Sequence, residues 1–101
     1  MSIALKFEGN TARIALSGNI DYSTQDKNLK EYSKALDAKN IQQIQVDLAE
    51  VTFLDSSGIR ALLTLQVKAN EKGISILLLN CRTLIREIFE LGGFDRMFTI
   101  R

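Results

Sequence analysis

One stretch in the middle of the chain changes abruptly from the pattern of a strand to the pattern of a helix. The alternating Val46 and Leu48 open a strand, which crosses a short acidic turn and reaches Phe53-Leu54 before Asp55-Ser56-Ser57-Gly58 interrupts the apolar run. Apolar residues then return at the spacing of one helix face, at Ile59, Leu62, Leu63 and Ala69. A chain with this segment must contain a strand that leads directly into a helix.

The polar interruption has the composition of a helix start. Asp55, Ser56 and Ser57 can each accept a hydrogen bond from an unpaired N–H group of the first helical turn, so one of them is expected to be the N-cap. Because one cap suffices, at least one hydroxyl has no evident structural task. Gly58 suits either a close approach between elements or the access of another molecule to that hydroxyl. The residues alone leave open whether both serines are caps or one has a further function.

The first half of the chain predicts a hairpin and a helix. Two alternating runs separated by Gly9-Asn10 predict the hairpin. Their inward residues are Ile3, Leu5, Phe7, Ala12, Ile14 and Leu16. A helix is expected over about residues 24–38, and the spacing of Ser23 and Asp26 predicts a capping box at its start. The buried stripe of this helix consists of Leu29, Tyr32 and Leu36.

The second half continues the alternation of strands and helices. A third strand carries Ile41, Ile44, Val46 and Leu48, and the central helix is expected from residue 57 to about 72 with Gly73 as its stop. The apolar run 74–79 predicts a strand covered on both faces. A last helix over 83–91, ended by Gly92-Gly93, turns Leu84, Ile85, Ile88 and Phe89 inward. The residues expected to close the core are Phe94, Met97, Phe98 and Ile100.

The resulting order, β-β-α-β-α-β-α-β, places the chain in the α/β class. A hairpin followed by strand–helix units predicts a mixed sheet, with helices packed on it and right-handed crossovers between its parallel strands. The chain has 101 residues, the length of one small domain spanning 1–101.

Composition disfavours several classes of function. The 13 basic and 12 acidic residues give a net charge of +1, which supplies no bulk attraction to nucleic acid or to anionic lipid. No apolar run approaches the ~18 residues of a membrane span, so we expect a cytoplasmic protein without direct membrane insertion. The single Cys81 fits a reducing compartment and is expected to be an apolar filler. Without histidine or a cluster of metal ligands, an enzyme, a metal site and a cofactor are not expected.

Three segments together resemble the STAS domain family, and within it the small anti-sigma factor antagonists. The first and most specific is the strand that ends in Asp55-Ser56-Ser57-Gly58. The second, Gly18-Asn19-Ile20-Asp21, is similar to the family's Gly-x-hydrophobic-Asp element. The third, residues 84–89 with 91–94, is similar to its last helix and turn. The resemblance covers nearly the whole chain and implies one STAS domain over 1–101.

The resemblance also implies a function in partner switching, and no enzymatic activity of the chain itself. Unphosphorylated antagonists of this family bind an anti-sigma factor that is also a serine protein kinase, and so release a sigma factor. The kinase then phosphorylates a serine that matches Ser56 here, with Ser57 as the weaker candidate, and a PP2C-type phosphatase removes the phosphate. The nucleotide belongs to the kinase.

The same resemblance implies a partner-binding surface made of Asp21, Asp55, Ser56, Ser57, Gly58 and Arg60. Asp21 could instead be a turn residue, and Gly18 is better explained as a backbone requirement. Arg60 departs from the family pattern, in which a small residue, often glycine, is expected. It could contact an acidic partner or a phosphate, although an exposed helix residue is the simpler interpretation. The alternative function is a STAS scaffold subunit of a transport or stress-signalling complex that is never phosphorylated.

Overall fold

The two alternating runs at the N-terminus form the predicted hairpin. In the computed structural model, which describes residues 2–101, β1 spans Ser2–Glu8 and β2 spans Thr11–Ile20, and the two strands pair antiparallel. Met1 lies outside the described residues. Gly9 has a φ of 58°, which a glycine adopts without steric strain at such a two-residue turn.

Strand–helix units follow the hairpin. They comprise α1 (Gln25–Asp37), β3 (Gln43–Leu54), α2 (Ser56–Glu71), β4 (Ser75–Leu79), α3 (Thr83–Leu91) and β5 (Thr99–Ile100), with 3₁₀ turns at Tyr22–Thr24 and Phe94–Arg96. The sheet order is β1-β2-β3-β4-β5, antiparallel at the first pair and parallel in the other three. Each helix joins neighbouring parallel strands, and right-handed connections of this kind place all three helices on one face. The predicted α/β class and mixed sheet are confirmed.

The covered face of the sheet carries the core. Its buried side chains come from the three inner strands and from the inner stripes of the helices, and include Ile14, Ile44, Val46, Leu78, Tyr32, Leu62, Leu65, Ile85 and Phe89. On the opposite face, Arg13 and Asp47 pair at 2.8 Å and remain partly exposed. Leu77 and Leu79 of β4 are also partly exposed there. The prediction that β4 is covered on both faces is therefore wrong.

β3 continues through the acidic segment that was expected to turn. Its pairing with β2 is irregular at two points, and each irregularity gives β3 one extra residue. Leu48, Val51 and Leu54 are consequently all buried, although strict alternation would turn residues three apart to opposite faces. Ala49 lies in the first bulge, so the polar residues around it interrupt the alternation without ending the strand. The predicted turn is wrong.

The predicted helix boundaries agree closely with the structure, but several inward side chains do not. α3 has its predicted bounds, and α1 and α2 agree within about one residue at each end. Leu84 and Met97, expected in the core, are 52% and 53% exposed. α3 turns Ile85 and Phe89 toward the core and leaves Leu84 on its outer side, and Met97 follows the second 3₁₀ turn. Phe7 is 49% exposed at the end of the edge strand. Toward the β5 edge of the sheet, Phe89 and Phe98 close the core, with ring centroids 5.5 Å apart in an edge-to-face arrangement.

Candidate functional site

Asp55 connects the end of β3 to the start of α2. Its Oδ1 accepts a hydrogen bond from the Gly58 N–H at 3.0 Å, and its carbonyl accepts one from the Ile59 N–H at 3.0 Å. Asp55 is therefore the N-cap among the three candidates, and α2 begins at Ser56. Neither serine is used as the cap.

The second carboxylate oxygen of Asp55 reaches the loop that follows β2. Its Oδ2 accepts a hydrogen bond from the Tyr22 N–H at 3.3 Å, and the Asp55 N–H donates to the Ile20 carbonyl at 3.2 Å. Asp21 lies between these two contacts and is thereby held beside the helix start. We refer to residues 20–22 and 55–58 together as the corner.

Asp21 organises the 3₁₀ turn that begins after it. Its Oδ1 accepts from the Ser23 N–H at 3.0 Å, and its N–H donates to Thr24 Oγ1 at 3.1 Å. The capping box thus joins Asp21 and Thr24, and the predicted box of Ser23 and Asp26 is wrong. Asp21 is a turn residue, as one interpretation of the sequence held, and its side chain remains partly exposed at the corner.

Gly58 allows the helix start to approach β2 closely. A Cβ at this position would lie 2.6 Å from the Ile20 carbonyl oxygen and 2.6 Å from Leu54 Cδ1. Side-chain atoms essentially never approach backbone this closely, so only glycine fits without movement of the corner. Of the two roles considered for Gly58, the structure therefore favours close packing between elements.

Ser56 and Ser57 differ in exposure, although they are neighbours. Ser56 is exposed, whereas Ser57 is half-buried. Within residues 2–101, neither hydroxyl makes a hydrogen bond. Arg60 is exposed on α2, one helical turn beyond Ser56. The structure thus brings Asp21, Asp55, Ser56 and Gly58 together at the corner and places Arg60 next to it along the helix.

Three residues at or near the corner were not singled out by the sequence patterns. Asn28 of α1 is fully buried, and its Nδ2 donates to Thr24 Oγ1 at 3.4 Å. This contact holds the Thr24 hydroxyl that the capping box uses. The sequence signal of Asn28 was a polar residue one turn before Tyr32 in the buried stripe. The other two of the three residues are exposed aromatics, Tyr22 by 78% in the corner and Phe53 by 46% just before it.

The pKa values of Tyr32, Asp47 and Cys81 are shifted by their surroundings. Burial raises the pKa of the Tyr32 hydroxyl, whose oxygen has no hydrogen-bond partner in residues 2–101. Partial burial alone would raise the pKa of Asp47, but hydrogen bonds from the Ala49 N–H, Asn80 and Arg13, with the charge of Arg13, lower it. Burial raises the pKa of the Cys81 thiol, against a smaller opposing effect of the Arg86 charge.

The described part of the chain contains no group of three or more His, Cys, Asp or Glu residues arranged to hold a metal ion. No helix within it has both the length and the apolar character required to cross a membrane.

Comparisons with known proteins match almost the whole chain. A family model described as "Mlab, STAS domain" matches residues 3–100. A STAS-domain containing protein of Pseudomonas aeruginosa is 29% identical over 93 residues, which cover 92% of this chain and 90% of the relative. An anti-sigma F factor antagonist of Paenibacillus polymyxa is 21% identical over 100 residues, covering 99% of this chain and 86% of the relative.

Solved structures share the fold at low sequence identity. The anti-sigma factor antagonist SpoIIAA in its unphosphorylated form superposes with a TM-score of 0.77 at 21% identity, covering 99% of this chain and 87% of SpoIIAA. The phosphorylated form of the Bacillus SpoIIAA gives 0.76 at 21% identity, with 99% and 91% covered. An anti-sigma factor antagonist from Mycobacterium paratuberculosis gives 0.79 at 23% identity, with 98% and 83% covered. The murine anion transporter Slc26a9 gives 0.75 at 18% identity, covering 87% of this chain and 14% of the transporter.

Proposed function

Because this chain belongs to the STAS domain family, we propose that it is an anti-sigma factor antagonist controlled by phosphorylation of Ser56. In its unphosphorylated form it binds an anti-sigma factor that is also a serine protein kinase, and a sigma factor is released. A PP2C-type phosphatase removes the phosphate and restores binding. The observation that carries the proposal is an exposed Ser56 hydroxyl, free of hydrogen bonds within residues 2–101, at a corner that Asp55 holds in place.

The position of Ser56 is compatible with a phosphate in the folded state. A phosphoserine adds about −1.5 to −2 charge, and the first turn of a helix is where an anion is stabilised. Because Asp55 already caps α2, phosphorylation removes no capping interaction. The modification should therefore leave the fold intact and act on the partner.

The charges at the corner explain why the partner would be lost. A phosphate on Ser56 adds a dianion beside Asp55, and Asp21 lies across the corner from it. Docking would require this group of negative charges to lose water or to approach carboxylates of the partner, and both are unfavourable. The switch needs no conformational change within the domain.

The other partner-binding residues have distinct parts in the proposal. Asp21 and Asp55 contribute surface charge and hold the corner together, and Gly58 permits the close approach on which its shape depends. Ser57 is half-buried and is the weaker acceptor. The nucleotide is bound by the kinase, so the chain itself needs no cofactor and performs no chemistry. The proposed place of action is the cytoplasm, where kinase and sigma factor meet.

The direct test is to purify the chain from the cells that express it and to look for phosphate on its serines. We expect mass spectrometry to find phosphate on Ser56, Ser56→Ala to abolish it, and Ser57→Ala, the matched neighbouring control, to leave it in place. In affinity capture from the same cells, Ser56→Asp should recover less of the kinase than Ser56→Ala. Stoichiometric phosphorylation of Ser56→Ala would show that the site is assigned wrongly.

A second candidate function is a scaffold subunit that is never phosphorylated. The fold likeness to an anion transporter favours it, since that protein also contains a domain of this shape. Matches to anti-sigma factor antagonists extend over 83–91% of those proteins, whereas the transporter is matched over only 14% of its length. Capture of a transport ATPase, equally by Ser56→Ala and Ser56→Asp, would favour the scaffold.

A further inference from the structure

We propose that Arg60 binds the phosphate of phosphorylated Ser56, as the cation of a helical i, i+4 pair. The inference rests on the proposed function, because it concerns the regulation of the same serine. Ser56 is the first residue of α2, and both side chains are exposed.

The geometry of α2 places the two side chains within reach of each other. Residues four apart on an α-helix lie on the same face with Cβ atoms about 5–6 Å apart, and the favourable order has the anion N-terminal to the cation. Ser56 and Arg60 have this spacing and this order. The guanidinium can therefore reach the phosphate without any change in the backbone.

Arg60 is available for this contact. Within residues 2–101 its side chain makes no hydrogen bond and no ion pair, whereas Arg13 pairs with Asp47 and Arg82 donates to the Ala49 carbonyl at 2.7 Å. Pairing with a phosphate would consequently break no existing contact. A guanidinium also offers two parallel N–H donors to phosphate oxygens, which makes the pair stronger than a point-charge contact.

Of the two basic residues of α2, Arg60 is the one close to Ser56. Asp55 directly precedes Ser56, and its hydrogen bond with the Tyr22 N–H holds the loop that carries Asp21 at the same corner, so carboxylates that repel a phosphate are the charges supplied by the corner itself. The next basic residue of α2 is Lys68, 12 residues beyond Ser56. At about 1.5 Å of rise per residue the separation is about 18 Å, more than twice the screening length of about 8 Å at physiological salt.

Phosphorylation would then change the surface in two ways. It would add a phosphate at the corner, and it would draw Arg60 toward that phosphate. Arg60 also forms the N-terminal edge of a shallow groove of about 350 Å³ along α2, which Leu63, Thr64 and Val67 continue. A small residue at position 60, which the family pattern favours, could not link the phosphate to the groove.

The experiment places phosphoserine at position 56 during translation, so that no kinase is required. Phosphorus NMR then measures the pKa of the second phosphate ionisation in the otherwise unchanged chain, in Arg60→Gln and in Lys68→Gln. We expect Arg60→Gln to raise this pKa by about 0.3 unit, the equivalent of an i, i+4 ion pair of about 0.4 kcal/mol. Lys68→Gln, which removes the same charge from the same helix, should change it by less than about 0.1 unit. In 1 M salt the difference should shrink, because the pair is exposed.

Equal phosphate pKa values in Arg60→Gln and the unchanged chain would overturn the inference. A rise of the phosphate pKa in Lys68→Gln as large as that in Arg60→Gln would also overturn it, because it would indicate an effect of net charge and not of a specific pair. The unphosphorylated variants should unfold at the temperature of the unchanged chain, because Arg60 and Lys68 are exposed and unpaired within residues 2–101. Failure of the two proposals can be told apart. If cells never phosphorylate Ser56, the proposed function fails while the NMR result stands, whereas an unchanged pKa with phosphorylation in cells overturns only the role of Arg60.

Discussion

Gly58→Ala should destabilise the domain through the corner itself. The new Cβ would lie 2.6 Å from both the Ile20 carbonyl oxygen and Leu54 Cδ1. The first of these atoms belongs to the backbone of β2 and cannot rotate away, so either β2 or the start of α2 must move. Inserting a methyl group into such a space costs about 1–3 kcal/mol. Alanine recovers up to about 1 kcal/mol because it favours the helical conformation more than glycine does.

The two terms leave a net loss between about 0 and 3 kcal/mol in the free energy of unfolding, with about 1.5 kcal/mol at the middle of the range, measured by urea denaturation. For a chain of this length each kcal/mol corresponds to about 4–8 °C in the midpoint of thermal unfolding. Amide NMR shifts should change at Ile20 and Tyr22, on the far side of the contact, as well as within α2. Ser57→Ala is the matched control, since its hydroxyl makes no hydrogen bond within residues 2–101, and it should change stability by less than about 0.5 kcal/mol.

A Gly58→Ala variant that is as stable as the unchanged chain and retains its amide shifts at Ile20 would contradict this prediction. That result would mean that β2 and α2 are not packed so closely that a Cβ at position 58 would lie 2.6 Å from its neighbours. The close approach could then no longer explain why glycine occupies this position.

Two further predictions concern the stability of the domain at acid pH and a hydroxyl buried in its core. Asp47→Asn should reduce the loss of stability at acid pH, because the pKa of Asp47 is lowered in the folded state. The stabilisation that ionised Asp47 gives the fold is complete above its unfolded-state pKa of about 3.9, and it is lost as pH falls through the folded-state pKa. Urea titrations between about pH 5 and pH 2 measure this slope, and an unchanged slope would contradict the assignment. Tyr32→Phe should leave stability unchanged or raise it by up to about 1 kcal/mol, because the buried hydroxyl it removes has no partner in residues 2–101. A loss above about 1 kcal/mol in thermal or urea unfolding would indicate that the hydroxyl is bonded.

Local periodicity and helix-end chemistry determined most of the fold. The spacing of apolar residues in α3 and the glycines after it predict its bounds without reference to the rest of the chain. The alternation of β1 and β2 likewise predicts the hairpin, because side chains of a strand point to opposite faces whatever its neighbours are. These patterns were sufficient to assign the α/β class and to place a helix start among Asp55, Ser56 and Ser57.

Packing between distant segments decided what local patterns could not. Leu48, Val51 and Leu54 are all buried because β3 has two bulges where it pairs with β2. The bulges arise from the pairing of two strands, so the alternation of residues along β3 alone does not predict them. Leu77 and Leu79 remain partly exposed because three successive crossovers in the same direction leave one face of the sheet without a helix.

The same distinction applies to the corner. Because three residues compete for one cap, local chemistry already predicts a hydroxyl without an evident structural task after β3. Which of the hydroxyls is exposed depends on contacts between distant parts of the chain. The loop after β2 supplies the Tyr22 N–H and the Ile20 carbonyl that hold Asp55 as the cap, and α2 therefore begins with Ser56 facing solvent and Ser57 half-buried. Those two contacts join residues more than 30 positions apart, which no local pattern can specify.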